Sequence, residues 1–183
     1  MYRYLIGPAK YFFFICNSFE KNANLKLEDI VNNHHFKSVL LKFEDSFYKK
    51  RSILKSKLNT WCSLHSVYKE FNDFLKSSND NFVIITNKDK SSVKQLAAHF
   101  SFDNRIIEVF SKEDSLDKCV LMNKIKIKYS SYSSFIFVDD NRENIAQLKS
   151  IKNVKCYQPL WGYNNQHSKK EDFQISSFSD ILL

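Results

Sequence analysis

Two adjacent carboxylates, Asp139 and Asp140, follow the apolar run Phe135-Ile136-Phe137-Val138 with no turn residue between. A short run of β-branched and aromatic residues that stops at charge predicts a strand buried on both faces of a parallel sheet. The carboxylates then stand at its carboxyl end, where open α/β sheets bind ligands. A pair of them on a rigid strand tip suits a hard cation such as Mg²⁺. Aspartate at such a turn also caps helices, and Asp140 precedes the helical pattern of Asn141-Arg142-Glu143-Asn144-Ile145-Ala146. The dipeptide by itself is compatible with either role.

A second strand tip follows the same plan. Phe82-Val83-Ile84-Ile85 ends in Thr86-Asn87-Lys88, and a helical pattern runs from Ser91 through Phe100. A hydroxyl, an amide and the free N–H groups of a helix start can together hold a phosphate. Taken singly, the same residues make an ordinary Asn-based turn. Between the two tips lies Ser111-Lys112-Glu113-Asp114-Ser115-Leu116, which sets a lysine just ahead of an apolar-periodic helix.

In this order the three pieces resemble the haloacid dehalogenase-like (HAD) superfamily of phosphohydrolases. The strand ending in Thr86-Asn87 resembles its second motif, Lys112 before a helix its third, and Val138-Asp139-Asp140 its fourth. The resemblance spans roughly residues 61 to 163. It implies that Thr86 hydrogen-bonds a transferring phosphoryl group, with Asn87 beside it, and that Lys112 neutralises the group's charge. Lys118 is the second candidate for that lysine. Asp140 would bind Mg²⁺ directly, supported by Asp139 and Asn144. The implied chemistry is phosphoryl transfer to an aspartate followed by hydrolysis, on a small phosphorylated substrate.

One part of the superfamily's pattern is missing. Its first motif is a strand ending in Asp-x-Asp, the first aspartate being the nucleophile. Residues 1 to 60 offer only Asp29 and Asp45, both in helical patterns and neither with an aspartate two residues on. The expectation is therefore a phosphohydrolase-type chain that is inactive as given, its first strand lying before Met1 or supplied by a second chain. The alternative is a non-catalytic module that keeps the phosphate and metal pocket. A central strand absent from a parallel sheet would leave open edges and promote aggregation.

The elements that must position these residues fall into two parts. Residues 1–60 carry apolar residues at three- and four-residue spacings, among them Phe36, Val39, Leu40, Phe43, Phe47 and Leu54. These predict a small helical lobe, which the resemblance makes a cap over the active site. Lys49, Lys50 and Arg51 would face an anionic substrate or simply stay solvated. Residues 61–183 alternate strand and helix patterns after a hinge at Trp61–His65. They predict an α/β core with a doubly wound, Rossmann-like parallel sheet, a weak strand at Val154–Tyr157, an aromatic turn at Pro159–Tyr163 and a final short helix after Phe178.

Composition excludes several classes. Glycine occurs only twice among 183 residues, at Gly7 and Gly162, so a glycine-rich dinucleotide or P-loop cradle cannot be built. The net charge of +8 admits a nucleic-acid partner. Its lysines, however, are spread along the chain without a zinc-finger or RNA-binding signature, and a bias toward Lys, Asn, Ile and Phe explains the charge equally. The four cysteines, Cys16, Cys62, Cys119 and Cys156, make no C-x-x-C pair and are expected as free thiols in a reducing cytoplasm. Tyr11–Cys16 is apolar but far short of the roughly 20 residues that span a bilayer, and is expected as a core helix with no membrane role.

Overall fold

The computed structural model describes residues 34–162 and 171–181. Tyr11–Cys16, Asp29, Tyr163 and most of the polar loop after it lie outside the described residues. Contacts divide the chain into two compact units, Met1–Leu64 and His65–Leu183.

In the first unit the apolar spacing produces α1 (His34–Ser56) and α2 (Leu58–Ser63). Leu40 is buried, whereas Leu41, Phe47, Tyr48 and Ile53 remain exposed. Phe43 and Phe47, one turn apart, stack with ring centroids 6.5 Å apart. The Arg51 guanidinium lies over the Trp61 ring at 5.4 Å from its centroid, which engages one member of the basic run with an aromatic face. Trp61 and Cys62, expected in a hinge, are the buried residues of α2.

The second unit is mixed α/β. Its strands are β1 (Phe82–Ile85), β2 (Ile106–Phe110), β3 (Phe135–Val138), β4 (Val154–Pro159) and β5 (Gln174–Ile175). Its helices are α3 (Lys69–Ser77), α4 (Lys90–His99), α5 (Lys118–Lys128) and α6 (Arg142–Leu148). The described strands form two small sheets, β1-β2 and β3-β4-β5, parallel throughout. Such pairing follows from strands joined through helices, which return the chain in the same direction.

Helix α5 is the wall common to both sheets. Its Leu121 and Ile125 pack with Phe110 of β2, Val83 and Ile85 of β1 and Phe135 of β3. Its Met122 packs with Phe137, Ile145 and Leu148, and Ile85 joins this cluster as well. Ile85 therefore contributes to both clusters, and β1 and β3 end over one shared core. Each of the three helices that follow a strand starts on a polar cap: Asp89 accepts from Ser92 N–H at 2.8 Å, Asp117 from Cys119 N–H at 2.7 Å and Asn141 from Glu143 N–H at 2.8 Å. Arg105 holds the other end of α3, donating to the Leu75 carbonyl at 3.1 Å and the Asp80 carbonyl at 2.9 Å. The expected closing helix is a single 3₁₀ turn, Phe178–Asp180, seated by stacking of Phe178 on Phe74 at 4.7 Å. No helix among the described residues is long and apolar enough to cross a membrane.

Candidate functional site

The first turn of α5 sets the site's cation. Because Asp117 caps the helix, Lys118 is its first residue and lies on the side facing β3. The Lys118 ammonium pairs with Asp139 Oδ2, and both side chains are only 10% exposed. It also lies over the Phe137 ring at 5.7 Å from the centroid. A charge removed this far from water is tolerated only with a partner, and Asp139 is that partner.

Asp139 is held from several directions. Its Oδ1 accepts from Asn141 N–H at 2.8 Å, and Asn144 Nδ2 lies 3.1 Å from each carboxylate oxygen. With the lysine on Oδ2, both oxygens are hydrogen-bonded, so the Asp139 carboxylate is turned to the ammonium and to Asn144. Asp140 is the next residue along the chain. Its carbonyl oxygen accepts from Gln158 Nε2 at 3.0 Å, and Gly162 approaches it so closely that a Cβ there would overlap Asp140 Cβ and lie 2.9 Å from Oδ2.

Thr86 continues β1 beyond Ile85. Its N–H donates to the Phe110 carbonyl at 2.9 Å, and its hydroxyl accepts from Lys88 N–H at 3.1 Å. Asn87 is exposed. Ile85, Cys119 and Phe137 meet in one cluster, and each is next or next but one in sequence to Thr86, Lys118 and the Asp139-Asp140 pair respectively. Lys112 is exposed in the turn between β2 and α5. That turn is ordered by a fully buried Ser111, whose N–H donates to Asp114 at 2.8 Å and whose hydroxyl donates to Glu113. Lys90 adds an N–H to Glu113 at 3.1 Å and its ammonium to Asp114 at 2.9 Å. The backbone N–H of Ser111 and then the Lys90 ammonium hold the Asp114 carboxyl below its usual range, and the Ser111 hydroxyl does the same for Glu113.

Lys118, the second candidate of the sequence, is thus the lysine that pairs with Asp139. The signal in the sequence was Asp117 ahead of Cys119, Leu121, Met122 and Ile125, a cap followed by an apolar stripe, which starts the helix at Lys118. Gln158 and Gln174 carry no motif that singles them out beforehand, whereas Gly162 lies in the expected aromatic turn Pro159–Tyr163. Among the described residues, no three His, Cys, Asp or Glu side chains gather to hold a metal ion. Comparison with known protein families, curated proteins and solved structures returned no match.

Proposed function

We propose that the second unit is a HAD-like, doubly wound phosphohydrolase-type core that captures a small phosphorylated molecule at its strand ends without turning it over. The observation that carries this reading is the Lys118–Asp139 pair beside Asp140. An ammonium has three donors; Asp139 takes one, and the others suit a phosphate oxygen, with the Thr86 hydroxyl a second contact. Such charge-assisted contacts are strongest where water is excluded.

Mg²⁺ would be held through Asp140 alone, together with waters and the ligand's own phosphate oxygens. Magnesium keeps several waters and commonly binds through one or two carboxylates plus phosphate, so the single carboxylate fits it once phosphate is present. What the cation supplies is further neutralisation of phosphate charge. Asp139 acts instead as the counter-ion that keeps Lys118 in place. No described carboxylate is assigned to attack phosphorus, which is why turnover is not part of the reading. The free thiols Cys62, Cys119 and Cys156 suit a reducing cytoplasm.

One observation favours a second reading, an active enzyme completed by a strand from sequence before Met1 or from a second chain. Among the described residues, β1 pairs only with β2 and β3 only with β4, so each has an edge to offer.

Calorimetric titration of the purified chain with inorganic phosphate, with and without Mg²⁺, tests the first reading. Lys118→Met is expected to weaken phosphate binding about 10- to 100-fold, the worth of one hydrogen bond to a charged group. Thr86→Val weakens it less, and Lys112→Met leaves it unchanged. Hydrolysis of a generic phosphate monoester is expected to stay at background. Robust turnover abolished by Asp140→Ala would replace this reading with the second, and equal phosphate affinity in all four proteins would remove both.

A further inference from the structure

Two buried glutamine side chains of the second unit reach the site described above through the Asp140 carbonyl. Gln158, near the end of β4, is 3% exposed, and Gln174, in β5, is 6% exposed. A buried primary amide costs stability unless its donors and acceptor are matched, so what each one faces is informative. Gln174 Oε1 accepts from the Glu171 backbone N–H at 3.0 Å. Its Nε2 donates to Gln158 Oε1 at 2.9 Å, and Gln158 Nε2 donates to the Asp140 carbonyl at 3.0 Å.

The direction of this relay is fixed at both ends. A backbone N–H can only donate and a backbone carbonyl can only accept. Gln174 must therefore turn its oxygen to Glu171, which leaves its NH₂ for Gln158, which leaves the NH₂ of Gln158 for Asp140. Neither amide can flip without opposing two donors or two acceptors. The far end of the relay is fastened too, because Arg142, two residues beyond Asp140, pairs its guanidinium with the Glu171 carboxylate. The turn from Asp140 to Arg142 is consequently gripped twice by the segment 171–174.

Gly162 completes the arrangement. The turn after β4 is anchored by Leu160 N–H on the Ile175 carbonyl at 2.9 Å and by Trp161 against Phe178 at 5.5 Å between centroids. It carries the Gly162 backbone against the Asp140 side chain, in space that any Cβ would occupy.

We propose that Gln158, Gln174 and Gly162 are positioning residues whose joint task is to fix where the Asp140 carboxylate points. The relay sets the Asp140 peptide and the glycine sets the room its side chain has. The inference takes from the preceding section only that Asp140 is the carboxylate facing the ligand.

The relay makes an unusual demand on substitutions. Gln158→Glu and Gln174→Glu keep size and shape but put an acceptor where a donor is required. The double variant Gln158→Met/Gln174→Met removes the polar groups as a pair, which restores apolar packing without restoring the grip on Asp140. The exposed Gln147→Glu serves as a charge control.

The readout is the Asp140 side-chain carboxyl ¹³C resonance of the full chain at one neutral pH, with thermal unfolding measured alongside. Mn²⁺ plus inorganic phosphate then serves as a paramagnetic probe of the same carboxyl. Gln158→Glu, Gln174→Glu and Gly162→Ala are expected to move that resonance, and Gln147→Glu to leave it as in the parent. The double methionine variant is expected to melt near the parent while its Asp140 resonance stays displaced, which a purely structural role would not produce. Loss of Mn²⁺ affinity in the variants of about 10- to 100-fold is the scale for groups that orient a metal's ligand.

If the parent binds no Mn²⁺ with phosphate yet the resonance moves in these variants, the ligand reading falls and the positioning stands. An Asp140 resonance unchanged in the double methionine variant overturns the positioning, whether or not Gly162→Ala folds.

Discussion

Lys118 and Asp139 form an ion pair in which neither partner reaches much water, and the consequences of breaking it are asymmetric. Removing the lysine strands a carboxylate that Asn141 N–H and Asn144 alone must then satisfy. Lys118→Met is expected to lower unfolding free energy by about 3–5 kcal/mol in urea titrations, the range for an orphaned buried charge. Adding Asp139→Asn removes the stranded charge and is expected to recover most of that loss, while phosphate affinity stays low. If Lys118→Met alone unfolds like the parent, the pair is more solvated than its 10% exposures indicate. This pairing was only partly legible beforehand. The adjacent aspartates marked the strand end, but choosing between Lys112 and Lys118 needed the helix start, and three residues of error there exchange a buried cation for an exposed one. Gln158 and Gln174 were invisible for a different reason. Their role comes from parallel pairing between β4 and β5, and no local pattern encodes a partner so far along the chain.

At the scale of elements, apolar runs located β1 and β3, because short strands under helices must be apolar almost throughout, while β4, with Lys155 and Gln158 in it, showed only as the weak strand Val154–Tyr157. The two-residue β5, Gln174-Ile175, carries no such run and is defined only by what it lies beside. Helix starts were misplaced where caps were overlooked. An apolar pattern extends by eye to Ser115, yet Asp117 accepts from Cys119 N–H at 2.7 Å and Val120 N–H at 3.3 Å and so fixes the start at Lys118. Asp117→Ala is expected to cost about 1 kcal/mol and, by loosening the first turn, to weaken phosphate binding as well. Ser111→Ala should leave the ligand affinity alone. The Ser111–Asp114 turn also gives the fold a response to acid. Asp114 and Glu113 titrate below their ordinary values of 3.8 and 4.5 when folded. Their stabilisation is complete above the unfolded values and is lost as pH falls through the folded ones, where the unfolded chain binds more protons. Thermal midpoints are expected to fall below about pH 4.5, and Glu113→Gln to flatten part of that fall. A parallel curve for the variant would remove Glu113 from the account.

For the second unit as a whole, the informative feature is a mismatch between what its strands are made of and how well they are covered. Phe-Val-Ile-Ile and Phe-Ile-Phe-Val have the composition of strands buried on both faces. Yet all four residues of β1 are half-buried, and in β3 only Phe137 is buried while Ile136 is 38% exposed. Both strands lean on α5, and among the described residues each pairs along one edge only. Backbone N–H groups along a strand alternate between its two edges. Thr86 N–H points to β2, and the N–H groups of Phe135 and Asp139 point toward the β4 side. By alternation those of Ile84 and Phe137 do likewise, whereas those of Val83, Ile85, Ile136 and Val138 point to the other edges. Hydrogen exchange read residue by residue therefore separates the two readings of function. With the edges open, the amides of Val83, Ile85, Ile136 and Val138 are expected to exchange well ahead of those of Ile84 and Phe137. Protection of all six would mean that a further strand lies along β1 and β3. In that case the tip of the added strand becomes the place to look for a nucleophile, and the expectation of no turnover has to be withdrawn.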